Sequence, residues 1–513
     1  MKRRFILCLV LIGLFAACAS VPSQFEQAPS YVWSTPENTR LGAILSGDAP
    51  QDTLLSRVHL LSNAREAFRL RYGLAGLAEH TLDLQYYLWK GDLTGRLLLH
   101  QAIDAADRGV RVRILIDDIY HSGRDWVYAA VDAHPLIEVR VFNPIGNRGI
   151  GRNANFVFNK RALNHRMHNK IFLVDNAAAI LGGRNIGDDY FGIDPKLNFR
   201  DLEVLAAGPA AREAGAAYDL YWNSSAALPI KVLAKKAAGP AELAELRLNI
   251  KDALTNLEDL SYPLPADEDA ALEYLKELAE TMVWAAAEVV VDPLDRFEGG
   301  KESEFLRLGR EINEALTHEM VAQTAYLIPT KEGVEALAAL TARGITVRIL
   351  TNSSMSNNHL TVHAHYMKYR KKLLNAGVEL YELRADAEML EHFKETENPV
   401  TDSHAGLHTK AFVFDRRISL IGSYNMDPRS RVWNSEIGLL IKGEEFAGLV
   451  LNEMVKDFDP ANSYRLSLDE RGSLKWTGDG PEGDIEWKKE PGASVWRRIG
   501  ARLFSWLPIE NEL

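Results

Sequence analysis

The amino-acid sequence predicts an α/β protein of two similar lobes related by a pseudo-two-fold axis, each lobe a mixed or mainly parallel β-sheet flanked by helices. Three observations predict this class. Strand-like segments alternate with helix-like segments, which is typical of sheets covered by helices on both faces. A chain of 513 residues exceeds one ordinary hydrophobic core. The same order of segments occurs twice, which indicates a duplicated domain.

The repeated unit is a β-α-β arrangement that begins with the apolar, β-rich stretch TLDLQYYLW. The pattern predicts a strand, then a helix ending in an Arg-Gly pair, then two further strands. Matched segments align between the two copies as follows: 81–89 with 319–329, 93–109 with 334–344, 110–118 with 345–352, and 137–143 with 378–384.

The segments outside the repeats predict the remaining organisation of the chain. A Pro-, Ser- and Gly-rich stretch favours a tether, and an Ala-, Leu-, Glu- and Lys-rich stretch with helical spacing favours a helical connector between the lobes. The predicted divisions are a leader (1–18), a tether (19–51), the first lobe (52–235), the connector (236–300), the second lobe (301–460) and a C-terminal extension (461–513).

The leader has the features of a bacterial export signal. Basic residues at 2–4 precede an apolar run at 5–17, which is too short for a membrane span. Cys18 follows at once, so the segment resembles a lipoprotein signal that is cleaved before Cys18 and lipid-modified there. Ala19 in the next position resembles sorting to the outer membrane. The alternatives are an ordinary secretory signal cut after Ala19 and a retained anchor. The lipoprotein and secretory interpretations both place the body outside the cytoplasm, and the lipoprotein interpretation, which we favour, holds it on a periplasmic membrane face.

Charge and cysteine content exclude several classes of site. The net charge is −11, whereas nucleic-acid binding usually leaves a basic footprint, so no nucleic acid is expected as a partner. Both cysteines, Cys8 and Cys18, lie in the leader. The body therefore has neither a disulfide nor a thiolate metal site.

The last twenty residues form an amphipathic, basic segment. Val495, Ile499, Leu503 and Trp506 recur at helical intervals, with arginines between them. Such a helix can lie in a membrane interface. A terminal helix docked on the fold explains the pattern equally well.

One motif occurs twice with every interval matched: His, one residue, Lys, four residues, Asp, then a Gly-containing turn and Asn. Its members are His168, Lys170, Asp175, Gly182, Gly183 and Asn185 in the first copy, and His408, Lys410, Asp415, Gly422, Ser423 and Asn425 in the second. Two copies at matched spacing make a chance origin remote.

The motif predicts the geometry of a catalytic site. On a strand, His and Lys share one face while Asp has the opposite parity, so Asp175 and Asp415 are expected to fix the turn that follows. The carboxylates that orient the imidazoles must then come from elsewhere. The candidates are Asp201, 33 residues after His168, and Glu436, 28 residues after His408.

Two histidines, two lysines and two asparagines together suit reaction at a phosphate. A neutral imidazole can attack phosphorus while a second imidazolium protonates the leaving oxygen. Ammonium and amide donors can hold the phosphoryl oxygens. Neither a carboxylate cluster nor a Cys/His ligand set accompanies the motif, so no metal and no cofactor are expected.

The doubled motif resembles the phospholipase D superfamily, and residues 60–460 together with the LPIE-containing tail are similar to its bacterial cardiolipin synthases. The stretches that carry the closer likeness are HTLDLQYYLW, RRMHNK, GGRNIGDDYF and GVELYEL. The resemblance implies two phospholipase D-like lobes and metal-independent phosphatidyl transfer through a covalent phosphohistidine. Gly183 departs from the superfamily, which usually has Ser, as Ser423 is in the second copy. This departure indicates that the two halves are not equivalent.

The resemblance also implies roles and substrates. His168 is expected to be the nucleophile and His408 the acid. Lys170, Lys410, Asn185, Asn425 and Ser423 are expected to hold substrate. Phosphatidylglycerol and phosphatidylethanolamine are the expected partners, with cardiolipin as product. A hydrolytic phospholipase D, a secreted phosphodiesterase or nuclease, and a non-catalytic lipid-binding lipoprotein are the alternatives.

Overall fold

The structure is a computed structural model that describes residues 27–47, 54–121, 123–146, 164–234, 236–255, 260, 262–298, 302–387, 403–480 and 483–513. The leader, including Cys8 and Cys18, lies outside the described residues. The prediction that Cys18 is lipidated therefore has no structural counterpart here.

The described residues form 22 strands. They are β1 (Leu55–Leu61), β2 (Thr81–Tyr86), β3 (Arg111–Asp117), β4 (Ile137–Phe142), β5 (Arg166–Met167), β6 (Ile171–Val174), β7 (Ala178–Gly182), β8 (Leu197–Arg200), β9 (Glu203–Ala207), β10 (Ala227–Pro229), β11 (Val283–Val291), β12 (Glu319–Thr324), β13 (Thr346–Asn352), β14 (Glu379–Leu383), β15 (His404–Leu407), β16 (Lys410–Phe414), β17 (Ile418–Gly422), β18 (Asn434–Ser435), β19 (Ile437–Lys442), β20 (Ser463–Leu468), β21 (Leu474–Gly478) and β22 (Ile485–Trp487).

The α-helices of the same residues are α1 (Arg40–Leu45), α2 (Ala64–Gly76), α3 (Leu93–Asp107), α4 (Asp125–Asp132), α5 (Pro209–Trp222), α6 (Ile230–Leu233), α7 (Pro240–Thr255), α8 (Glu268–Thr281), α9 (Glu304–Ala315), α10 (Thr330–Ala342), α11 (Leu360–Tyr366), α12 (Arg370–Asn375), α13 (Pro428–Val432), α14 (Glu444–Asp457) and α15 (Val495–Phe504). Short 3₁₀ turns are present at Pro36–Asn38, Asp188–Tyr190, Leu294–Glu298 and Glu510–Glu512. Among the described helices, none has both the length and the apolar character needed to cross a bilayer.

The two lobes repeat the same strand pairing, so the predicted duplication is confirmed. In the first lobe β2, β3 and β4 are parallel, β2 also pairs antiparallel with β6, and β7 joins β6 to β9. In the second lobe β12, β13, β14, β16, β17 and β19 pair in the same order and the same directions. Each strand of the first lobe therefore has its counterpart ten strands later.

The sheet is mixed, as predicted, but it is not mainly parallel. Parallel pairing in the large sheet is confined to the β-α-β strands, where helices provide the crossovers. From β6 to β9, and from β16 to β19, the strands pair antiparallel. Three-residue loops connect β6 to β7 and β16 to β17, and such tight connections permit only antiparallel neighbours.

The lobes join edge to edge through β1 and β11. Leu55 to Val58 of β1 pair antiparallel with Val283 to Ala286 of β11, while β9 and β19 lie on the far sides of these strands. One hydrogen-bonded sheet thus runs through both lobes. The prediction of a purely helical connector was wrong at β11, whose alanines carry a helical bias that pairing on both edges overrides.

The helices α5 and α14 occupy equivalent places and cover the same face of the sheet in the two lobes. A single apolar cluster lies beneath these two helices. It includes Val58 and Leu181 from the first lobe and Val413 and Ile421 from the second. Because this core is shared between the lobes, their relative position is fixed by packing.

Residues 27–47 pack against the first lobe, so the tether interpretation was wrong for this stretch. The N–H of Val32 donates to Asp219, the side chain of Asn176 donates to the carbonyl of Trp33, and Leu41 is fully buried. The Pro- and Ser-rich composition suggested a linker, but its few apolar side chains are sufficient to dock it. The other predicted boundaries remain predictions. At the C-terminal end, β20, β21 and β22 extend the sheet of the second lobe beyond β14.

The motif aspartates bind backbone N–H groups at the start of the neighbouring strands. Asp175 accepts from the N–H groups of residues 79–81 at 2.7–2.9 Å, and Asp415 accepts from those of 317–319 at 2.7–2.9 Å. Asp175 and Asp415 themselves have positive φ values of 51° and 49° in the hairpin turns. Both carboxylates are thus used in holding the hairpins, as turn-fixing residues would be.

Candidate active site

Two small parallel sheets hold the motif histidines in place, and both cross between the lobes. β5, which precedes His168, pairs with β18, which precedes Glu436. β15, which precedes His408, pairs with β8, which precedes Asp201. Backbone hydrogen bonds complete the arrangement: the N–H of His168 donates to the carbonyl of Ser435 at 2.9 Å, and that of His408 to Arg200 at 2.8 Å.

Each imidazole contacts a buried carboxylate of the opposite lobe. His168 Nδ1 lies 2.7 Å from Glu436 Oε2, and His408 Nδ1 lies 2.7 Å from Asp201 Oδ2. Both carboxylates are fully buried. The sequence identified both carboxylates by their distance from the histidine of their own copy, whereas the structure pairs them crosswise. Since each Nδ1 faces a carboxylate, Nε2 is the nitrogen left for a reacting group.

Asp201 and Glu436 occupy equivalent positions just before β9 and β19, but they are supported differently. The Ser423 hydroxyl and the Asn434 amide donate to Glu436, and the Leu202 N–H donates to Asp201 at 2.8 Å. A Cβ on Gly183, the counterpart of Ser423, would lie 2.6 Å from both carboxylate oxygens of Asp201. The absence of Ser at position 183 is therefore explained by the carboxylate of Asp201, which lies too close to residue 183 to leave room for a side chain.

This geometry corrects the expectation that Ser423 binds substrate. Its side chain is fully buried, its hydroxyl donates to Glu436, and the same oxygen accepts from the Ile437 N–H at 3.0 Å. The hydroxyl is thus committed to the carboxylate behind the imidazole. Gly182 and Gly422 lie where a Cβ would meet the backbone of the neighbouring strand β9 or β19, so these glycines permit close strand packing.

Both lysines are buried beneath the histidines. Lys170 Nζ donates to the carbonyl of His168 at 2.5 Å, and Lys410 Nζ donates to the carbonyl of His408. Burial lowers the pKa of Lys410 to about 8, and it lowers that of Lys170 well below its usual value. The two ammonium groups therefore carry charge that the protein solvates poorly, which favours an anion beside them.

The surroundings of both imidazoles favour the neutral form. Burial lowers the pKa of His168 to about 4 despite the opposing charge of Glu436. Burial and the charges of Lys410 and Lys170 lower the pKa of His408 well below its usual value. Burial also raises the pKa of Asp201 to about 6. Burial also acts to raise the pKa of Glu436, but the interactions with His168 and Lys170 outweigh it, so the pKa of Glu436 is lowered.

A cavity of about 1030 Å³ lies between the lobes and is lined by both histidines. Asn185 and Asn425 also line it. Asn185 is held in place, because its amide donates to the Tyr190 hydroxyl at 3.0 Å and accepts from the Leu88 N–H at 3.2 Å. Within the described ranges, no protein group hydrogen-bonds to the side-chain oxygen of Asn425.

Aromatic rings flank the imidazoles, and the sequence reasoning missed their part in the site. Tyr87 presents its edge to His168 at a centroid distance of 4.8 Å, and Tyr190 does the same to His408 at 5.1 Å. Both tyrosines belong to stretches that carried the family likeness, HTLDLQYYLW and GGRNIGDDYF, and this likeness was the available signal. Ile509, Glu512 and Leu513 of the C-terminal tail also line the cavity; the LPIE stretch of this tail was part of the family likeness, but its place at the site was not predicted.

Comparison with known proteins places this site in a family. The profile described as cardiolipin synthase, PLD-like domain matches residues 74–204 and 308–458, which is more than half of the chain. Cardiolipin synthase C of Escherichia coli K12 is 37% identical over 455 residues, covering 88% of this chain and 94% of that relative. Cardiolipin synthase A of Pseudomonas entomophila is 26% identical and covers 79% of this chain and 69% of its own length.

Among solved structures, phosphatidylserine synthase of Haemophilus influenzae Rd KW20 has a similar fold. It superposes with a TM-score of 0.53 at 14% identity and covers 88% of this chain and 94% of its own. The family predicted from the doubled motif is confirmed: the chain belongs to the phospholipase D superfamily, in the family of cardiolipin synthases with a PLD-like domain.

Proposed function

We propose that the protein is a phosphatidyltransferase that makes cardiolipin from phosphatidylglycerol and a second phospholipid, either phosphatidylglycerol or phosphatidylethanolamine. The observation that carries this proposal is the pair of His-carboxylate contacts on one cavity, with two buried lysines beneath them. The 37% identity to cardiolipin synthase C over most of both chains supports the same substrate class.

The charges of the site suit a phosphodiester. Lys170 and Lys410 balance Glu436 and Asp201 when all four are ionised, and both imidazoles are then neutral. A bound phosphodiester adds one negative charge in a buried setting. That charge raises the pKa of the nearby imidazoles, so substrate binding itself favours protonation of one of them. The site thereby obtains one neutral and one protonated imidazole, which is what nucleophilic and acid catalysis require.

The first half-reaction forms a covalent intermediate. Nε2 of His168 attacks phosphorus, a P–N bond forms, and the bond from phosphorus to the head-group oxygen breaks. His408 gives its proton to that oxygen, so glycerol or ethanolamine leaves as a neutral alcohol group. Glu436 and Asp201 hold the tautomers of the two imidazoles, while Lys170, Lys410, Asn185 and Asn425 meet the charge on the phosphoryl oxygens.

In the second half-reaction, His408 acts as the base and His168 is the leaving group. His408, now neutral, takes a proton from the free glycerol hydroxyl of phosphatidylglycerol, whose oxygen attacks phosphorus as the P–N bond breaks. The product is cardiolipin, and His168 returns to its starting state. With water as acceptor the product would be phosphatidate. The assignment of His168 as nucleophile follows the superfamily resemblance.

The proposed location follows from substrate and leader together. A phospholipid transferase acts at a membrane, and the leader resembles a lipoprotein signal that ends at Cys18. We place the enzyme on a periplasmic membrane face, held by a lipid on Cys18.

A brief incubation with radiolabelled phosphatidylglycerol tests the reaction and its intermediate together. We expect labelled cardiolipin among the lipids, with and without phosphatidylethanolamine, and acid-labile label on His168 after denaturation. His168→Asn should abolish both the cardiolipin product and the label on the protein, with a loss of activity of about 10²–10⁴-fold or more. Label on His408 would reverse the assignment. Phosphatidate in place of cardiolipin would make the enzyme a hydrolase, and unlabelled protein with activity abolished by a chelator would overturn the mechanism.

The different supports of Asp201 and Glu436 predict the outcome of exchanging them. Gly183→Ser should lower kcat by about 100-fold or more, because the new side chain displaces Asp201. Adding Asp201→Glu should restore part of the loss, since the pair then matches Ser423 and Glu436. Ser423→Ala should lower kcat by about 10- to 100-fold, the value of a hydrogen bond to a charged group.

The control for this exchange is Asp201→Glu alone, which should be impaired because the longer acid lacks its serine donor. Stopped or steady-state assays on phosphatidylglycerol give kcat, and thermal unfolding shows that each variant is folded. A double variant no more active than Gly183→Ser would contradict this account of Gly183.

The buried lysine of the second motif predicts an alkaline limit to activity. Lys410 is charged below its pKa of about 8 and neutral above it, so kcat/KM should fall as the pH rises through that value. The bound phosphodiester stabilises the ammonium, so the corresponding fall in kcat should lie at higher pH. Profiles of kcat and kcat/KM on phosphatidylglycerol measure both limits. An unchanged kcat/KM up to about pH 10, close to the usual lysine pKa, would contradict the prediction.

Cys18→Ser tests the anchor. The variant should remain unprocessed or be released from the membrane, because no thiol is available for lipid attachment. Fractionation and the mass of the mature chain report the outcome, with Cys8→Ser as the matched control. Normal maturation and full membrane retention of Cys18→Ser would remove the lipoprotein interpretation.

A further inference from the structure

The C-terminal helix α15 presents its apolar side to solvent. Of seventeen large apolar side chains that are exposed in the described part of the chain, seven lie between 495 and 507. Trp496 and Trp506 are each 81% exposed. Together Val495, Trp496, Ile499, Leu503, Phe504, Trp506 and Leu507 form what we call the tail face. A patch so rich in large apolar side chains on one short segment marks an interaction surface.

One side of α15, which carries Arg497 and Ala501, faces the protein. Arg497 donates to the carbonyl groups of Ser354 at 2.9 Å and Asn357 at 3.0 Å, and Ala501 is fully buried. The docked-helix interpretation of the tail is therefore correct for the side that carries Arg497 and Ala501. Among the described residues, the apolar side of α15 stays exposed to solvent, which is the reverse of an ordinary surface helix.

The residues after α15 fasten this helix to the rim of the catalytic cavity. The carbonyl of Leu507 lies 3.1 Å from His365 Nε2, the carbonyl of Asn511 accepts from Trp433, and that of Leu513 accepts from the Arg429 N–H. Ile509 and Leu513 line the cavity itself. The tail face and the cavity mouth are therefore continuous along one ordered segment of chain.

The exposed charges of residues 488–507 are cationic. Between 488 and 507 the chain carries five cationic residues and one acidic residue, Glu490. Glu490 is ion-paired with Arg370 at 2.6 Å, whereas Lys488, Lys489 and Arg502 are exposed. Exposed cations beside an apolar, Trp-bearing helix face complement an anionic lipid surface. The same cations would repel a second copy of this face.

We propose that the tail face docks into the interface of an anionic phospholipid bilayer and thereby sets the mouth of the catalytic cavity against lipid head groups. This inference rests on the proposed function, because it concerns how a lipid in a membrane reaches that site. An anchor at Cys18 would tether the enzyme, whereas the tail face would orient it.

The test compares two presentations of one substrate to the full-length protein. Trp496→Ser/Trp506→Ser should lower kcat/KM on phosphatidylglycerol in vesicles by about tenfold or more, since two large rings no longer bury apolar area in the interface. On monomeric short-chain phosphatidylglycerol the variant should equal the wild type, which also shows that it is folded. Trp126→Ser, an exposed tryptophan of α4, should leave both activities unchanged.

A second measurement reports docking without turnover. Brominated phosphatidylcholine in vesicles that contain phosphatidylglycerol should quench the fluorescence of Trp496 and Trp506, identified as the signal lost in Trp496→Phe/Trp506→Phe. Raising the salt from about 0.1 M to about 0.5 M, or replacing Arg502 by Glu, should weaken the quenching. A lipid on Cys18 would hold any variant on vesicles, so co-sedimentation would not distinguish the variants. The readout is therefore the depth of the tail tryptophan rings in the bilayer.

Three results would overturn the proposal: equal vesicle activity of the double Trp variant and the wild type, no quenching of the tail rings, or a dimer that forms through the tail face in place of vesicle contact. Failure of the proposed function gives a different pattern. In that case the wild type would convert neither vesicle nor monomeric phosphatidylglycerol, while the quenching would still report whether the tail face enters the bilayer.

Discussion

The site depends on one interaction, the contact of each motif histidine with a buried carboxylate of the other lobe. His168 needs Glu436 and His408 needs Asp201, and each pair is held by a two-stranded parallel sheet that itself crosses the lobe boundary. Separating the lobes would take each carboxylate away from the imidazole that it contacts, and removing one member of a buried pair costs about 3–5 kcal/mol. The lobes are therefore obligate halves of one site, even though each repeats the same strand order.

The two lobes place equivalent residues around the two imidazoles, and small departures from this symmetry make the imidazoles different. Asp201 lies against Gly183 and has a raised pKa of about 6 because it is buried, whereas the pKa of Glu436 is lowered by His168 after the opposing effect of burial. Tyr87 lies beside His168, while the equivalent position in the second lobe is Ala325. A duplicated site that must run attack at one imidazole and proton transfer at the other requires such unequal surroundings.

Much of the site was predictable because its signals are local in sequence. Matched spacing revealed the duplication, strand parity separated Asp175 and Asp415 from the histidines, and elimination left Asp201 and Glu436 as carboxylates. The crosswise pairing was not predictable, since distance along the chain favours the acid of the same copy and only the packed lobes reverse that choice. β11 was missed because its alanines favour a helix, and residues 27–47 because docking by a few apolar side chains leaves no periodic pattern. The role of Ser423 was misjudged because a family motif names a residue without showing which way its hydroxyl points.

The chemistry proposed for this site requires that water be kept from the covalent intermediate until a lipid alcohol arrives. Water is the most abundant competing nucleophile, and a cavity of about 1030 Å³ does not exclude it by size. The lining of the cavity and the proposed docking of the tail face each provide a physical means of biasing the outcome. Aromatic rings and the apolar tail residues Ile509 and Leu513 line the approach to the imidazoles, which lowers the local activity of water. A mouth held against the bilayer raises the effective concentration of the acceptor, because a tethered encounter in two dimensions replaces a bimolecular one in solution. Transfer in preference to hydrolysis would then be a property of where the cavity opens as much as of the residues at its base.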